Sequence, residues 1–485
     1  MRPTPPSLAT RSRLLPAATI VAVLAVGCAA AGPDYVRPTT PVPANFKEAA
    51  GWKAAQPLDA QPKGPWWDIF GDAELSQLER QVSVSNQNVA QAAAQYRAAR
   101  AAVAITRAGG LPLVGASAST SRARSSTNGA TRSPTTSTVH TVSLDATWEP
   151  DLWGGVRRAV EGGVAGAQAS AADLEAMRLS MQAELAQDYF GLRALDAERQ
   201  IQEAAIADDE RTLELTRNRY AAGVVPRSDA VQAEALLRAA QAQASDIGVQ
   251  RAQFEHAIAV LVGKPPAEFS LARAPLGAAP PEVPVGVPSD LLERRPDIAG
   301  AERRVAAANA QIGVAQAAFY PALTLSATVG TSFASALDAA PLLWSAGSTL
   351  AQTLFDGGAR RGRRAQAVAE HDAAVAAYRL TVLSAFQEVE DQLAASRILA
   401  VEARQQADAV AAAREAVTLV LDQYRAGTVS YLDVLSAQQI ALADQQLAAT
   451  IAGRRYVARV ALVRALGGGW TSERLPDTKA VAAAP

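Results

Sequence analysis

Two segments of the chain carry the same groups at the same spacing. RNRYAAGVVPRSDA begins at Arg217 and LDQYRAGTVSYLDV begins at Leu421. Tyr220, Gly223 and Asp229 in the first match Tyr424, Gly427 and Asp433 in the second, each 204 residues further on. A glycine here suits a left-handed helix end, where a side chain costs energy. A carboxylate a few residues later suits the start of the next helix, where it meets the positive end of the dipole. Ser430 with Asp433 reads as a capping-box variant. The chemistry on offer is hydrogen bonding and charge at a helical reversal, not bond breaking. Three histidines (His140, His256 and His371) are widely spaced, and there is one cysteine. The sequence has no metal-ligand spacing, no phosphate loop and no nucleophile–base motif, so neither an enzyme nor a metal protein has support.

The single cysteine has its own context. Arg2, Arg11 and Arg13 precede LLPAATIVAVLAVG, and Cys28 follows. A basic stretch and a short apolar run read as an export signal rather than a spanning helix. LAVGC resembles a bacterial lipoprotein cleavage box, with Ala25 where Leu is commoner. The expectation is a signal peptide over 1–27 and a covalent lipid on Cys28, the only attached group expected. The alternative is a plain signal peptide with an incidental Cys. Ala29 stands where the resemblance would put Asp for inner-membrane retention, so the outer membrane is favoured.

These motifs need elements to carry them. Net charge is −1 over 485 residues, which leaves no footprint for nucleic acid. Aromatics make up only 5% and Ala is abundant, a mix suited to long, closely packed helices. Residues 28–65 read as an extended arm. Asp72 to Ala108 is helical in character and Pro112 ends it. In HTVSLDATWEP, Val142, Leu144, Ala146 and Trp148 alternate with polar neighbours, a strand with two unlike faces. The same event follows Pro321, where Leu323, Leu325, Ala327 and Val329 alternate with Thr324, Ser326 and Thr328. Both hairpins end in paired glycines and an arginine: Gly154, Gly155 and Arg157, then Gly357, Gly358 and Arg360. This is a tandem duplication. The expected division is a first repeat over 66–264, a Pro/Gly-rich connector over 265–288, a second repeat over 289–469 and a tail over 470–485.

Lengths constrain the path. Gly163 to Tyr220 spans about 87 Å as helix and Gly362 to Tyr424 about 95 Å. Asp229 to Leu261 returns about half of that, and Ser289 to Ala318 the rest. In the second copy Asp433 to Leu466 returns half, and Asp72 to Ala108 supplies the missing upper piece. Apolar stripes at Leu174, Met177, Met181 and Leu185, and at Leu380, Leu383, Phe386, Val389 and Leu393, read as helix–helix seams.

Each hairpin strand has roughly the 9–11 residues that a tilted strand needs to cross a bilayer. A strand facing lipid must have no open edge, because unpaired backbone groups there cost several kcal/mol each. Four strands cannot close a barrel with an interior, so copies must associate. Two copies would give eight strands and three would give twelve. The polar face then lines the lumen and the apolar face meets lipid. Trp148 and Trp344 fall near strand ends, where interface aromatics sit.

With these parts in place the sequence resembles the outer membrane factor family of TolC-like channels, and its NodT-type lipoprotein branch. The residues that carry the resemblance are GCAAAGPDYVRPTTPVP at Gly27–Pro43, WWDIF at Trp66–Phe70, LLERRPDIAGAERRVAAANAQIGVAQAAFYP at Leu291–Pro321, YRAGTVSYLDVLSAQ at Tyr424–Gln438 and ALGGGW at Ala465–Trp470. The resemblance implies a mainly α fold with a membrane β part. Three chains would share a twelve-stranded barrel above a helical periplasmic tunnel. It implies an exit duct for drugs or other small toxic solutes, handed over by a periplasmic adaptor and an inner-membrane RND-type pump. A conduit for type I protein secretion and a non-channel coiled-coil scaffold are the alternatives. The tip turns, Tyr220, Ala221, Ala222 and Gly223 with Tyr424, Arg425, Ala426 and Gly427, would dock the adaptor. By the same resemblance Tyr424 would hydrogen-bond Asp229 to close the tip, Asp433 would sit in the constriction and Leu432 could form an apolar plug. Ser436 stands where a second Asp is common, which thins the charged ring.

Overall fold

The computed structural model describes residues 30–49, 65–125, 135–277, 279–283, 288–334 and 341–483. Cys28, the leader before it, part of the arm and both β-hairpin tips lie outside the described residues. After the arm and a short turn at Trp66–Phe70 come α1 (Ala73–Ser85) and α2 (Gln87–Ala108). Strands β1 (Leu113–Ser125) and β2 (Thr135–Trp148) come next, then α3 (Gly155–Ala221) and α4 (Arg227–Leu261). The second half repeats the order with α5 (Pro296–Ala317), β3 (Ala322–Phe333), β4 (Leu342–Ala351), α6 (Ala359–Ala426) and α7 (Tyr431–Ala465). A short C-terminal helix, α8 (Thr478–Ala482), closes the chain.

The two long helices have 67 and 68 residues, about 100 Å each. They start earlier than Gly163 and Gly362, the first at Gly155 within its glycine pair and the second at Ala359 directly after its pair. An aspartate upstream caps each one. Asp151 accepts from the backbone N–H of Val156 at 3.1 Å and Arg157 at 2.9 Å. Asp356 accepts from those of Gly358 at 3.0 Å and Arg360 at 3.1 Å. These bonds satisfy N–H groups that a helix start leaves open.

The stretch Asp72–Ala108 is not one helix. It breaks at Asn86, whose side chain accepts from the N–H of Asn88 and Val89 and so starts α2 afresh. The same side chain donates to the carbonyl of Leu261 at 2.8 Å, closing the end of α4. The second repeat does the same job with a different residue. Arg295, at the start of α5, donates to the carbonyl of Ala465 at 3.0 Å, closing α7. Gly263 and Gly467 both have positive φ, and a Cβ at either would collide with the carbonyl of Ser85 or Arg294.

These contacts correct the path expected from lengths. α4 continues upward into α2, and α7 into α5, rather than α4 into α5. The two upper pieces have 22 residues each, so length alone could not distinguish the pairings. The connector makes the exchange by crossing the outside of α3. Arg193 of α3 donates to the carbonyl of Ala272 at 2.7 Å, and Arg251 of α4 donates to that of Leu271 at 2.7 Å. Arg193 is buried and also pairs with Asp196 and with Glu74 of α1. The largest apolar core lies at this level, with Leu75, Leu185, Leu192, Ile298, Val382 and Val460 all buried. Of the expected second stripe, Phe386, Val389 and Leu393 enter this core, while Leu380 and Leu383 remain exposed.

Candidate functional site

The strands form one antiparallel sheet in the order β1-β2-β3-β4. Their lengths, 13, 14, 12 and 10 residues, reach or exceed a bilayer crossing. Directly opposed residues point to the same face, so register assigns each side chain. Leu144 faces Ala116 and Val329, and Val329 in turn faces Trp344. Val114, Val142, Leu325 and Leu350 share that apolar face. Most of its large side chains are exposed in the single chain.

The other face is a hydroxyl surface centred on one carboxylate. Asp145 accepts from Ser143 at 3.0 Å, Thr328 at 2.9 Å and Ser117 at 3.4 Å. Ser117 and Ser143 also bond each other at 2.9 Å. Asp145 therefore ties three neighbouring strands through their polar side. Trp148 closes β2 on the apolar face and donates to the carbonyl of Gly110 at 3.0 Å. Trp344 is the third residue of β4. The expected two-faced sheet is present, and β1 and β4 are its edges.

The N-terminal arm reaches the foot of this sheet. Ala31 N–H donates to the carbonyl of Trp153 at 2.9 Å. Arg158 donates to the carbonyls of Ala31 and Gly32 and pairs with Asp34 at 2.7 Å. Gly32 packs backbone to backbone against Gly313, where a side chain would not fit. Further down, Tyr35 bonds Glu302, and Glu390 accepts from the N–H of Lys47 and Glu48. The arm is thus a strap from the sheet's foot to the middle of the helices.

At the far end the two reversals are built differently from one motif. Gly223 and Gly427 both adopt the left-handed conformation, as the sequence requires. Ser430 and Asp433 form the expected cap, the carboxylate accepting from Ser430 N–H at 3.0 Å and Oγ at 2.7 Å. Asp229 lies in the first turn of α4 and accepts from Ser228 Oγ at 3.3 Å. Tyr220, Ala221, Ala222, Arg425 and Ala426 are all exposed around the two glycines. Leu432, Asp433 and Ser436 form one exposed face of the first turns of α7.

Tyr424 behaves unlike its counterpart. Tyr220 is 46% exposed whereas Tyr424 is 2% exposed, packed with Leu213, Leu237, Tyr431 and Val434. The Tyr424–Asp229 hydrogen bond is not made within the chain, because the buried hydroxyl has no hydrogen-bond partner among the described residues. At the tip, Arg219 links the two helical hairpins instead. Its Nη1 donates to the carbonyl of Tyr424 at 2.6 Å, and its guanidinium lies 4.5 Å from the ring centre. Motif matching missed Arg219. A cation in the last turn of α3 was the available signal, since it faces the negative end of a helix dipole.

Between the hairpins, just above the tip, runs a groove of about 480 Å³ lined by Asp208, Asp209, Thr212, Arg414, Arg425 and Gln438. Burial, with Asp208 adding to it, pushes the Asp209 carboxyl up to about 6. Burial and then the negative charge of Asp209 also raise the Tyr431 phenol. A carboxyl whose folded pKa is raised contributes stability below its unfolded pKa, and that contribution is lost as pH rises through the folded value. The helices around Asp209 should therefore loosen as pH rises from about 4 to about 6. Asp209→Asn should flatten this dependence and protect the segment at neutral pH by about 1–2 kcal/mol. Hydrogen exchange across residues 201–215 at several pH values checks it, and equal slopes in parent and variant would refute it.

Known proteins share this architecture. The sequence profile of the family described as Outer membrane efflux protein matches residues 78–264 and 287–468. The outer membrane protein OprJ of Pseudomonas aeruginosa is 32% identical over 467 residues, covering 94% of this chain and 96% of that protein. Nodulation protein T of Rhizobium leguminosarum bv. viciae is 34% identical over 442 residues, covering 90% and 89%. The solved structure of the outer-membrane channel OprN superposes with a TM-score of 0.84 at 31% identity, covering 90% of this chain and 99% of that one. The doubled arrangement of sheet and long helices superposes on that channel, and with the family profile matched over both halves the chain belongs to the outer membrane efflux protein family.

Proposed function

We propose that three copies of the chain share one twelve-stranded barrel and that their helices extend it as a tunnel into the periplasm. Membership of the family makes the chain an outer-membrane efflux duct and not an enzyme. The observation that carries the trimeric reading is the open sheet. Among the described residues β1 and β4 each leave one edge unpaired, and the face between them is apolar and exposed in the single chain. Unpaired edges are costly in hydrocarbon, and β4 of one copy pairing with β1 of the next removes both. Leu380 and Leu383 on α6, exposed in one chain, fit a seam against a neighbouring copy.

The lower end supports docking of a periplasmic adaptor, because both turns, Tyr220–Gly223 and Tyr424–Gly427, present mostly exposed residues. An inner-membrane RND-type pump supplies the driving force in this reading. Leu432, Asp433 and Ser436 form the face that narrows the tip. At the upper end the described arm begins at Ala30, two residues after Cys28 in the sequence, and Ala31 bonds Trp153 beside the sheet's foot. An acyl group on Cys28 would enter the adjacent leaflet there, which supports a lipid anchor. One experiment tests copy number and anchor together. Native mass spectrometry and imaging of the detergent-purified particle should show three copies, an axial bore and one acylated Cys28 per copy. A lone water-soluble subunit would overturn the duct; unmodified Cys28 in an intact trimer would overturn only the anchor.

A further inference from the structure

Register leaves one charged side chain on the hydroxyl face of the sheet. Among the described strand residues of that face, Asp145 alone carries charge, and its neighbours are mostly Ser, Thr, Gly and Ala. The strand arginines, Arg122 and Arg124, alternate in step with Val114 and so lie on the apolar side. Asp145 accepts from hydroxyls on β1, β2 and β3, and no described cation pairs with it. Its charge is therefore held in place but not neutralised. β2 is an inner strand, paired on both sides within one chain, so the groups beside Asp145 are those of the single chain. It opposes Gly115, the third residue of β1, which sets it near the sheet's foot, where the helices meet the strands.

Closing the sheet in threes turns this residue into a ring. Twelve strands about 4.8 Å apart and tilted by about 40° place the backbone roughly 12 Å from the axis, with the carboxylates nearer still. The Debye length is about 10 Å at 0.1 M salt. Three negative charges at that radius act across the whole bore and not at its wall alone. No strand residue described on the same face supplies a positive charge to cancel them. A solute leaving the helices crosses the ring before it enters the barrel. Carboxylate rings of this kind favour cations over anions in a water-filled pore.

We infer that Asp145 is a specificity-determining residue, whose three copies favour cationic over anionic solutes at the passage from helices to barrel. The inference rests on the trimer and on the lumen assignment proposed above. The test reads the local potential with a thiol, so it does not need an open tip. Ser326→Cys puts a thiol on the hydroxyl face in the row next to Asp145, and Ala146→Cys puts one on the apolar face. Full-length protein in liposomes meets methanethiosulfonate reagents of similar size and opposite charge. The parent, whose single cysteine is Cys28, gives the background. Ser326→Cys should react and Ala146→Cys should be protected. An unreactive Ser326→Cys, or an Ala146→Cys that reacts as fast, removes the lumen assignment and this inference with it. At Ser326→Cys, relative to a free thiol, the cationic reagent should react about threefold faster than the anionic one at 0.1 M salt, about tenfold faster at 0.01 M and about equally at 1 M. Adding Asp145→Asn, which keeps an oxygen for the hydroxyls, should bring the two rates together at every salt concentration. An unchanged ratio in that double variant overturns the inference and leaves the duct standing. Should Asp145→Asn not assemble, the salt series on Ser326→Cys decides, and a ratio that ignores salt overturns it too.

Discussion

Leu144→Arg should abolish the heat-resistant oligomer in outer-membrane extracts, while Ser143→Arg should leave it intact. The two residues are neighbours in β2, so chain position and strand propensity hardly distinguish them. Register does. Leu144 opposes Ala116 on one side and Val329 on the other, in the middle of the apolar face. Ser143 opposes Ser117 and Gly330 and bonds Asp145. An arginine on the lipid face near the midplane costs about 2–4 kcal/mol. Three copies repeat the cost around one barrel, which exceeds the margin of many folded proteins. On the hydroxyl face the same side chain would lie next to the Asp145 carboxylate and in water. Gel migration before and after heating, on extracts from cells making each variant, reads the outcome. The reverse pattern would mean that the faces are assigned the wrong way round.

Much of this geometry was legible in the sequence because several local rules agreed. Val142, Leu144, Ala146 and Trp148 alternate with polar residues, and a period of two leaves one choice of faces. Gly223 and Gly427 demanded positive φ, and Ser430 with Asp433 spelled a cap. Each rests on neighbours in sequence. The expectations that failed depended on partners far away. The run Asp72–Ala108 contains no Pro or Gly to announce a break, yet Asn86 breaks it because Leu261 offers a carbonyl that needs a donor. The stacking of α4 under α2 and α7 under α5 was invisible for a similar reason. Helix length is a sum, and pieces of similar length can be exchanged without changing it.

The tip shows the same limit at single residues. Tyr220 and Tyr424 occupy one motif position, yet one is half exposed and the other is buried. The difference lies in the residue that opens the next helix. Tyr431 opens α7 and packs edge-on against Tyr424, with ring centres 5.8 Å apart. The first repeat has Arg227 at the start of α4, which offers no such ring. A duplicated motif therefore fixed the backbone twice and the side-chain environment only once.

That asymmetry decides which variant should open the tip. Arg219→Ala removes a charged donor from the Tyr424 carbonyl and a cation from its ring. A hydrogen bond to a charged group contributes about 1.5–3 kcal/mol, and a partly exposed cation–π contact about 0.5–1 kcal/mol more. Loss of this link between the first and second hairpins should raise single-channel conductance in planar bilayers, by shifting the closed-to-open ratio on the order of tenfold or more. Tyr424→Phe should do far less, because the hydroxyl it deletes is buried without a partner among the described residues. Asp229→Ala removes a carboxylate from a helix start, worth about 0.3–1 kcal/mol. The double variant Tyr424→Phe/Asp229→Ala should therefore conduct much as the parent does. If instead the double variant opens the channel and Arg219→Ala does not, Tyr424 and Asp229 must meet across copies in the assembled tip. In that case the contact closing the duct forms between chains, and the hydroxyl left unpaired in one chain is the group held ready for it.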